Sequence, residues 1–290
     1  MAFVPTPFLR YFNPAVTVTM LGQVASFLNA EGFTISFMVT RSLEPVPDSA
    51  EVRIANLDPD LALLMGKVFA ARTSLTPPAV NQVIVTAGYD AFLAGLFKGD
   101  IRSFQSSLRD GPDTWTVATA DDGGDAIVDA LINPPISTAG STAALLIQAA
   151  CGGMGLLPGP SVAIVLSQID PGPAGAFSGV MAGKWSEVLD HVARRLRCRW
   201  WVRDGMVHLG FRGQPDPSRP AVVLTDDILV EPISEGGSGL VTLATFMDPS
   251  IVPGGQVQYL GTSFRCESVV SSGETRGSTP WVSRVIGRAL

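Results

Sequence analysis

The two histidines of the chain lack the neighbours that acid–base or metal chemistry requires. His191 lies two residues past Leu189 in a stretch with helical spacing, and His208 lies within a strand-like run. Neither belongs to a recognisable metal-binding motif, and a catalytic histidine needs a partner that orients it. We predict that both histidines are structural or solvent-exposed.

Three aspartates, Asp121, Asp122 and Asp125, stand close enough in the sequence to form a carboxylate pair. Such a pair could serve as acid and base in a hydrolase. Aspartates at the start of a helix instead accept hydrogen bonds from its first N–H groups, where the helix dipole favours negative charge. An apolar helical pattern follows them, and we predict a helix cap.

Two further segments could bind anions. The glycine-rich segment Glu235–Gly239 lacks the lysine of a phosphate-binding loop and does not stand between a strand and a helix, which predicts a flexible loop. A basic run follows a predicted helix, whose C-terminal end favours positive charge. This run is either a solvated helix end or a contact for an acidic surface of a partner or another subunit, and it comprises Arg194, Arg195, Arg197 and Arg199.

No other segment combines a nucleophile with a base or has metal-ligand spacing. We therefore predict no catalytic, cofactor-binding or metal-binding residue, no cofactor and no enzymatic activity. The chain is expected to act through its surfaces, as a part of an assembly does.

The composition supports an assembly part. Charged residues make up 16% of the 290 residues, against a usual share of about 25%, while 30 glycines and 22 prolines break the chain often. This combination predicts many short strands and a surface that copies of the chain or partners cover. The net charge of −6 and the lack of a long basic run argue against specific binding of nucleic acid.

Cysteines and hydrophobic segments indicate the compartment. Cys151, Cys198 and Cys266 are odd in number and far apart, which predicts a reducing compartment and buried, apolar thiols. The N-terminus lacks the pattern of a signal peptide, and no run of 18 or more apolar residues occurs. We expect neither secretion nor a membrane span.

Residues 1–121 have the pattern of a short arm followed by a β-rich domain. Residues 1–13 are rich in proline and aromatic side chains and predict an arm that packs on its own domain or across a neighbour. Alternating apolar residues predict strands at 16–20, 33–40 and 50–57. Asp58-Pro59 can start a helix, which has Leu61, Leu64, Met65 and Val68 on one face.

Three β-branched and aromatic runs at 82–89, 94–101 and 113–119 are separated by strand-breaking residues and predict an antiparallel meander. Residues 14–121 thus hold about six strands and one helix. A sheet of this size can close into a small barrel, which hides its edges.

The period changes after residue 121, which predicts an α+β insert over residues 122–212. Two helices are expected first: one after Asp121 or Asp122 that ends at Asn133-Pro134-Pro135, and one from Ser141 to Gly152-Gly153. A short strand at 162–166 and a third helix after Ser186 follow. The last predicted element is a hairpin that turns at Asp204-Gly205.

Residues 213–290 predict a second β segment. Strand candidates lie at 222–224, 240–246, 256–259, 265–270 and 281–286, and residues 271–278 form a polar tip. The economical interpretation is a second barrel that the C-terminus completes, with part of the insert contributing because 75 residues or so are few for a barrel. The predicted fold class is therefore mainly β, with two tube-like β-barrel domains plus a mixed insert.

The order of several turn-rich segments resembles a known family. These segments are Ala50–Leu57 before a helix, Val85–Tyr89 leading to Leu96–Ile101, Gly254–Val257, Arg265–Val270 and Gly273–Gly277. In this order they resemble the baseplate hub proteins of contractile-tailed bacteriophages, related to the late-control D family and to the N-terminal part of type VI secretion spike proteins.

The resemblance implies a homotrimer in the virion, at the tail baseplate, assembled in the host cytoplasm. Two barrels per chain would give a pseudo-six-fold ring that joins the hexameric tail tube protein to the trimeric spike protein, with the insert outside and other baseplate or wedge proteins around it. The physical principle would be symmetry matching. DNA would pass through an acidic lumen without specific binding.

Two alternatives remain open beside this structural hub. A cell-wall-hydrolysing tail-tip module would need an acid pair, or a serine or cysteine nucleophile with a base, in a cleft. A carbohydrate-binding tail-tip module would need exposed aromatic side chains, for which Trp200, Trp201 and Trp281 are the candidates, although core packing explains at least two of them.

Overall fold

The computed structural model of the chain describes residues 15–20, 23–28, 34–63, 82–88, 94–110, 113–169, 177, 179–236, 239–275 and 281–290. Strands dominate these residues, and helices concentrate between Gly124 and Arg195. The predicted mainly β class with an α+β insert is thus confirmed. The arm at 1–13 and the continuation of the predicted helix past residue 63 lie outside the described residues.

The first part of the chain contributes seven strands among the described residues, one more than the sequence predicts. They are Ala15–Met20 (β1), Gln23–Leu28 (β2), Thr34–Ser42 (β3), Ser49–Ala55 (β4), Gln82–Ala87 (β5), Ala94–Asp110 (β6) and Asp113–Asp121 (β7). The strand that the pattern missed is β2, which has Ala25-Ser26 in its middle and owes its place to hairpin pairing with β1. Local alternation is weak there, and the neighbouring strand decides the structure.

The predicted meander is confirmed. Strand β6 pairs antiparallel with β5 on one side and with β7 on the other. It is longer than its apolar pattern, because it continues to Asp110 through two register shifts against β7. Asp58 also begins a helical turn as predicted: its Oδ1 accepts hydrogen bonds from the backbone N–H groups of Asp60 and Leu61, and residues 59–63 are helical.

The insert, residues 122–212, contains four helices and five strands among its described residues. The helices are Gly124–Asp129 (α1), Ala143–Met154 (α2), Pro160–Gln168 (α3) and Trp185–Arg195 (α4). The strands are Leu131–Ser137 (β8), Leu157–Pro158 (β9), Val180–Lys184 (β10), Cys198–Arg203 (β11) and Met206–Phe211 (β12).

Three predicted boundaries in the insert are wrong. The first helix ends at Asp129, and the segment Asn133-Pro134-Pro135 lies inside β8, which pairs with β10. Thr142, not Ser141, caps α2, because its Oγ1 accepts from the Leu145 N–H at 3.3 Å. Gly155, with φ of 69°, ends that helix one turn later than predicted.

The apolar run at 162–166 is a helix, not the predicted strand. Pro160 occupies the first turn of α3, where its missing N–H costs nothing, and Val162 and Val165 are the buried side chains three residues apart. A short apolar run has no period that separates a buried strand from a buried helix. The Gly159-Pro160 pair, which is typical of a helix N-terminus, was the feature of the sequence that favoured the helix.

The hairpin prediction is confirmed. Strands β11 and β12 pair antiparallel with Arg203 opposite Met206. Asp204 has φ of 53° and Gly205 has φ of 71°, the two positive values that a type I′ turn requires. Strand β9 pairs with β12 in parallel and completes a three-stranded sheet within the insert.

The described residues of the last part of the chain contain six strands. They are Val222–Leu224 (β13), Leu229–Glu235 (β14), Leu240–Phe246 (β15), Gln256–Tyr259 (β16), Thr262–Glu274 (β17) and Val282–Ala289 (β18). The predicted bounds of β13, β15 and β16 are confirmed, whereas β17 runs into the predicted polar tip. Strand β14 was missed, and Glu235 belongs to it rather than to the loop that follows.

Hydrogen bonds join the two β parts into one sheet, where the sequence predicts two barrels. The order is β14-β15-β18-β17-β3-β4-β7-β6-β5-β1-β2, with β16 on β17 and β13 on β16. The link is the antiparallel pairing of β17 with β3. Within the described strands this path ends at β14 and β2, and no closed barrel is present. The division of the chain at 121/122 and 212/213 stays a prediction.

The buried apolar side chains of the described residues form three clusters. One lies among β3–β7, one within the insert and one among β13–β18. The clusters are not strictly separated along the chain, because Met247 and Trp281 from the last part belong to the first cluster. None of the helices in the described residues is both long and apolar enough to cross a membrane.

Candidate functional site at the junction of insert and sheet

Arg203 connects the insert to both β parts of the sheet. It ends β11 next to the Asp204-Gly205 turn, and its side chain is buried. Its Nη2 donates to the carbonyl oxygen of Pro253 at 3.1 Å, and its Nε lies 3.9 Å from Asp48 Oδ2. Asp48 stands just before β4, whereas Pro253 stands just before β16. One insert side chain therefore spans the place where the two β parts meet.

Asp48 and Arg41 complete a buried charged group with Arg203, and all three side chains are at most 4% exposed. Arg41 donates from Nη2 to the Ile251 carbonyl oxygen at 3.0 Å, and Asp48 Oδ1 accepts from the Ser42 N–H at 3.1 Å. We name these three residues, together with Asp122, the junction cluster.

Asp122 ties the start of the insert to this cluster. Its N–H donates to the Asp48 carbonyl oxygen at 2.9 Å, and its Oδ1 accepts from the Gly205 N–H at 3.1 Å. The entry into the insert and the tip of its hairpin are thus held against the same loop of the sheet. These two hydrogen bonds, together with the contacts of Arg203, attach the insert to the sheet at the junction cluster.

Burial dominates the electrostatics of the junction cluster. It raises the pKa of Asp48 to about 7, against the opposing effect of the Arg203 charge, and it raises the pKa of Asp122 to about 6. It also lowers the pKa of Arg41 to about 10. A cavity of about 80 Å³ lies between these side chains. The charged forms are therefore disfavoured by desolvation, the usual cost of burying an ion pair.

A second charged group joins the insert to β17. Glu267 Oε2 accepts from Arg199 Nη1 of β11 at 3.1 Å, Oε1 accepts from Arg265, and Arg288 Nε lies 3.4 Å from Oε1. Burial alone would raise the pKa of Glu267, but the hydrogen bonds and charges of Arg265 and Arg199 hold it below its usual range. Glu267 is therefore a carboxylate at neutral pH.

Gly254 allows the insert to approach the sheet closely. It has φ of 85°, and a Cβ at this position would lie 3.2 Å from a Leu43 methyl group and 3.3 Å from the Trp201 ring. Trp201 comes from the insert and Leu43 from the loop that follows β3. A larger residue would strain the backbone and separate the two.

No protein-family model and no curated protein sequence matches the chain. Among solved structures, the chain is similar to a 43 kDa tail protein of prophage MuSo2 from Shewanella oneidensis, with a TM-score of 0.59, 11% identity and coverage of 94% of this chain and 97% of the other. It has the fold of a phage tail protein.

Two further structures agree with this result. A tail protein from Neisseria meningitidis has a TM-score of 0.57 and 11% identity over 95% of this chain and 96% of the other. An E. coli component of the type VI secretion system, described as similar to the T4 bacteriophage tail proteins gp27 and gp5, has a TM-score of 0.50 and 9% identity over 96% and 74%. At these identities the likeness concerns the fold.

The tail-protein fold buries one of the two histidines. His208 Nδ1 lies 3.2 Å from Ser161 Oγ, which also accepts from the Leu209 N–H at 3.1 Å, and the His208 ring stacks on Trp201. The sequence did not indicate this serine–histidine pair, because the two residues lie on different elements. Ser161 is 0% and His208 is 3% exposed, so the pair is not in a cleft. His191 is exposed, as the sequence predicts.

The three predicted acidic residues do not cap the helix in the predicted way. The N-cap of α1 is Gly123, in the left-handed conformation. Asp121 pairs with Arg102 and accepts from the Gly124 N–H at 3.2 Å, whereas Asp122 belongs to the junction cluster. The side chain of Asp125 lies outside the described residues.

The cysteines and tryptophans are core residues of the tail-protein fold. Cys151, Cys198 and Cys266 are buried and unpaired, as predicted. Burial raises the pKa of Cys151 and of Cys198 to about 11, so these thiols stay protonated. Trp200, Trp201 and Trp281 are buried as well, so these three do not form an exposed aromatic platform.

Part of the predicted basic run lies at the C-terminal end of α4. Arg194 and Arg195 lie in the last turn of α4, and the Arg195 guanidinium lies 4.6 Å from the centre of the Phe177 ring. Within the described part of the chain, no three histidine, cysteine or acidic side chains converge as metal ligands would.

Proposed function

We propose that this chain is the structural hub of a phage tail baseplate. Three copies form a ring with pseudo-six-fold symmetry, which joins the hexameric tail tube to the trimeric central spike. The observation that supports this most directly is the arrangement of strands in the sheet. Strands β1–β7 and β13–β18 form two parts of similar strand number, joined side by side through β17 and β3.

The proposed mechanism is symmetry matching. Two similar β parts per chain, repeated three times, present six related faces to a six-fold tube, while the trimer offers three-fold symmetry to the spike. The rigid link between the parts serves this purpose. Pairing of β17 with β3 fixes one part relative to the other, and Arg203 fixes the insert to both.

The described sheet has features that suit contact with neighbouring copies. Its edge strands along this path are β14 and β2. The unpaired backbone N–H and C=O groups of an edge strand can pair with a strand of another chain. Large apolar side chains also face outward near the second β part, including Val223 at 65% exposure and Leu260 at 78%. Apolar surface of this kind favours coverage by a partner.

The remaining elements of the proposal follow from the ring. Its location is the virion tail baseplate, after assembly in the host cytoplasm, where it contacts the tail tube protein, the spike protein and other baseplate or wedge proteins. DNA passes through the ring without specific binding, which agrees with a net charge of −6. The chain carries no enzymatic activity of its own in this proposal.

Mass photometry and negative-stain microscopy of the purified chain test the proposal. We expect a ring with three times the 30.5 kDa mass of the chain. The double variant Val223→Lys/Leu260→Lys should weaken the ring by charging the sheet surface. Its matched control, Leu145→Lys/Leu157→Lys, changes side chains of 58% and 67% exposure on the insert and should leave the ring intact.

Two results would contradict the hub. One is a chain that stays monomeric at micromolar concentration and binds cell-wall sugars saturably, which would favour the carbohydrate-binding alternative. The other is release of soluble fragments from purified peptidoglycan by the chain alone, which would favour a hydrolase.

A further inference from the structure

A groove of about 380 Å³ separates the insert from the loop that follows β3. Residues of α4 and β11 form its insert side, and Leu43, Glu44 and Pro45 form the other side. The volume falls within the range of roughly 300–1,000 Å³ that is typical of binding clefts. A short extended segment of another chain would fit.

Three arginines line the groove. Arg194 donates from Nε to the Asp190 carbonyl oxygen at 3.2 Å, and Arg212 donates from Nε to the Cys198 carbonyl oxygen at 3.5 Å. Within the described residues, the terminal nitrogens of these two guanidinium groups have no further partner. Arg199 is the third, and it already holds Glu267.

The helix dipole does not explain this arrangement. Arg194 lies in the last turn of α4, where positive charge complements the dipole. Arg199 lies in β11, and Arg212 follows β12, so neither belongs to the helix end. Their convergence with Arg194 around one cavity therefore favours the second interpretation of the basic run, a contact for acidic groups.

Two carboxylates also line the groove, Glu44 and Asp190. Asp190 Oδ1 already accepts from Trp200 Nε1 at 2.7 Å. The lining charges are thus three positive and two negative, in a chain whose net charge is −6. Because Arg199 is already paired with Glu267, the positive charge that the groove offers to a ligand is that of Arg194 and Arg212.

Part of the groove lining is apolar. Leu43, Ala193, Cys198 and Trp200 are buried and line the groove. A lining that combines arginines with apolar side chains suits a segment that carries both carboxylates and aliphatic side chains. Arginine binds carboxylates through charge-assisted hydrogen bonds, and arginine clusters are a recurring means of recognising acidic motifs.

We propose that this groove binds an acidic segment of a partner protein, in which glutamates or aspartates alternate with aliphatic residues. The carboxylates accept hydrogen bonds from Arg194 and Arg212, and the aliphatic residues contact the apolar part of the lining. A nucleic acid fits less well, because its charges extend far beyond a groove of this size and the rest of the chain is acidic.

The proposed groove partner rests on the proposed hub function, because it assumes that the chain is a component of an assembly. Its test uses the isolated chain, and the oligomeric state of each sample is recorded by mass photometry. A ring that fails to bind acidic peptide would reject the groove alone. A monomer that binds the peptide would reject the ring alone.

The test is fluorescence anisotropy with a fluorescein-labelled peptide that alternates glutamate with leucine. We expect saturable binding that weakens as salt is raised, and no binding of the matching lysine–leucine peptide. Arg194→Gln/Arg212→Gln should weaken binding at least tenfold. Arg53→Gln/Arg284→Gln removes the same charge from exposed side chains of the sheet and should change binding less than twofold.

Thermal melts should show that both double variants stay folded. Equal weakening by the two pairs would overturn the proposal, because general electrostatics would then explain the binding. Tighter binding of a single-stranded oligonucleotide, lost in Arg194→Gln/Arg212→Gln, would assign the groove to nucleic acid instead. Self-association that this variant abolishes and the peptide inhibits would assign it to a second copy of the chain.

Discussion

Trp281 packs the edge of its ring against Phe37, with the ring centres 5.0 Å apart and the planes at 85°. Phe37 lies in β3 of the first β part, whereas Trp281 precedes β18 of the last. Trp281 Nε1 also donates to the Glu274 carbonyl oxygen at 3.1 Å. A residue from the end of the chain thus completes the core of its beginning.

Replacement of Trp281 by alanine should destabilise the first β part as well as the last. We expect a loss of about 3–5 kcal/mol in the free energy of unfolding, typical of removing a buried aromatic side chain. Urea denaturation measures the loss, and hydrogen exchange should show reduced protection of the Phe37 amide. Trp185→Ala is the control, because Trp185 is partly buried in the insert cluster and should leave Phe37 protected. Unchanged exchange at Phe37 in Trp281→Ala would contradict the coupling.

Glu267 and Arg199 pair with each other, but substitution of Glu267 should reduce the free energy of unfolding more than substitution of Arg199. Glu267→Gln leaves Arg265, which is 2% exposed, without its carboxylate, and breaking a buried ion pair from one side costs about 3–5 kcal/mol. Arg199→Gln removes a partner with a 38% exposed side chain, and such pairs contribute at most about 1 kcal/mol. Chemical denaturation of both variants compares the two losses. Equal losses would show that Arg265 does not depend on Glu267.

Acid should destabilise the folded chain through His208. Burial lowers the pKa of His208 to about 4, whereas a histidine in the unfolded chain has a pKa of about 6.5. Between these values the unfolded chain binds the additional proton, so stability decreases as the pH falls below about 6.5. The contribution at pH 5 is about 2 kcal/mol. His208→Asn retains a hydrogen-bonding atom near Ser161 but does not titrate. The free energy of unfolding of this variant should therefore be lower than that of the wild type at pH 7.5, and the gap should be about 2 kcal/mol smaller at pH 5. Urea denaturation at the two pH values measures both gaps.

Asp48 should change stability with pH in the direction opposite to His208, and it therefore serves as the control for the pH series. Its folded pKa, raised to about 7, lies above the unfolded value of about 3.9, so the folded chain binds more protons in between. This stabilising contribution is complete below the unfolded value and is lost as the pH rises through about 7. Asp48→Asn should therefore gain stability relative to the wild type on going from pH 5 to pH 8. Parallel pH curves for the wild type and both variants would contradict both assignments.

Local sequence signals predicted the elements whose causes are local. The Asp204-Gly205 turn needs two residues that tolerate positive φ, and the chain places them between two strand-like runs. The meander of β5, β6 and β7 likewise follows from breakers between β-branched runs. Prediction failed at α3, because a short apolar run fits both a buried strand and a buried helix. It also failed at β2, because pairing with a neighbouring strand determines the structure there.

The candidate site was largely absent from the sequence prediction. Arg203, Asp48 and Pro253 are far apart in the chain, and none of them stands in a motif. An arginine before a turn gives no sign that it will be buried between two β parts. The serine–histidine pair was missed for the same reason, because Ser161 lies on α3 and His208 on β12.

The sequence by itself determined the mainly β class, the α+β insert, most strand positions and the burial of the cysteines, because these depend on residue type and on periods of two or four residues. Only the tertiary structure decided that β17 pairs with β3, that one sheet joins both β parts, and that buried charges fix the insert to it. These contacts connect residues far apart in the chain, and their stability comes from shared burial, which no local pattern encodes.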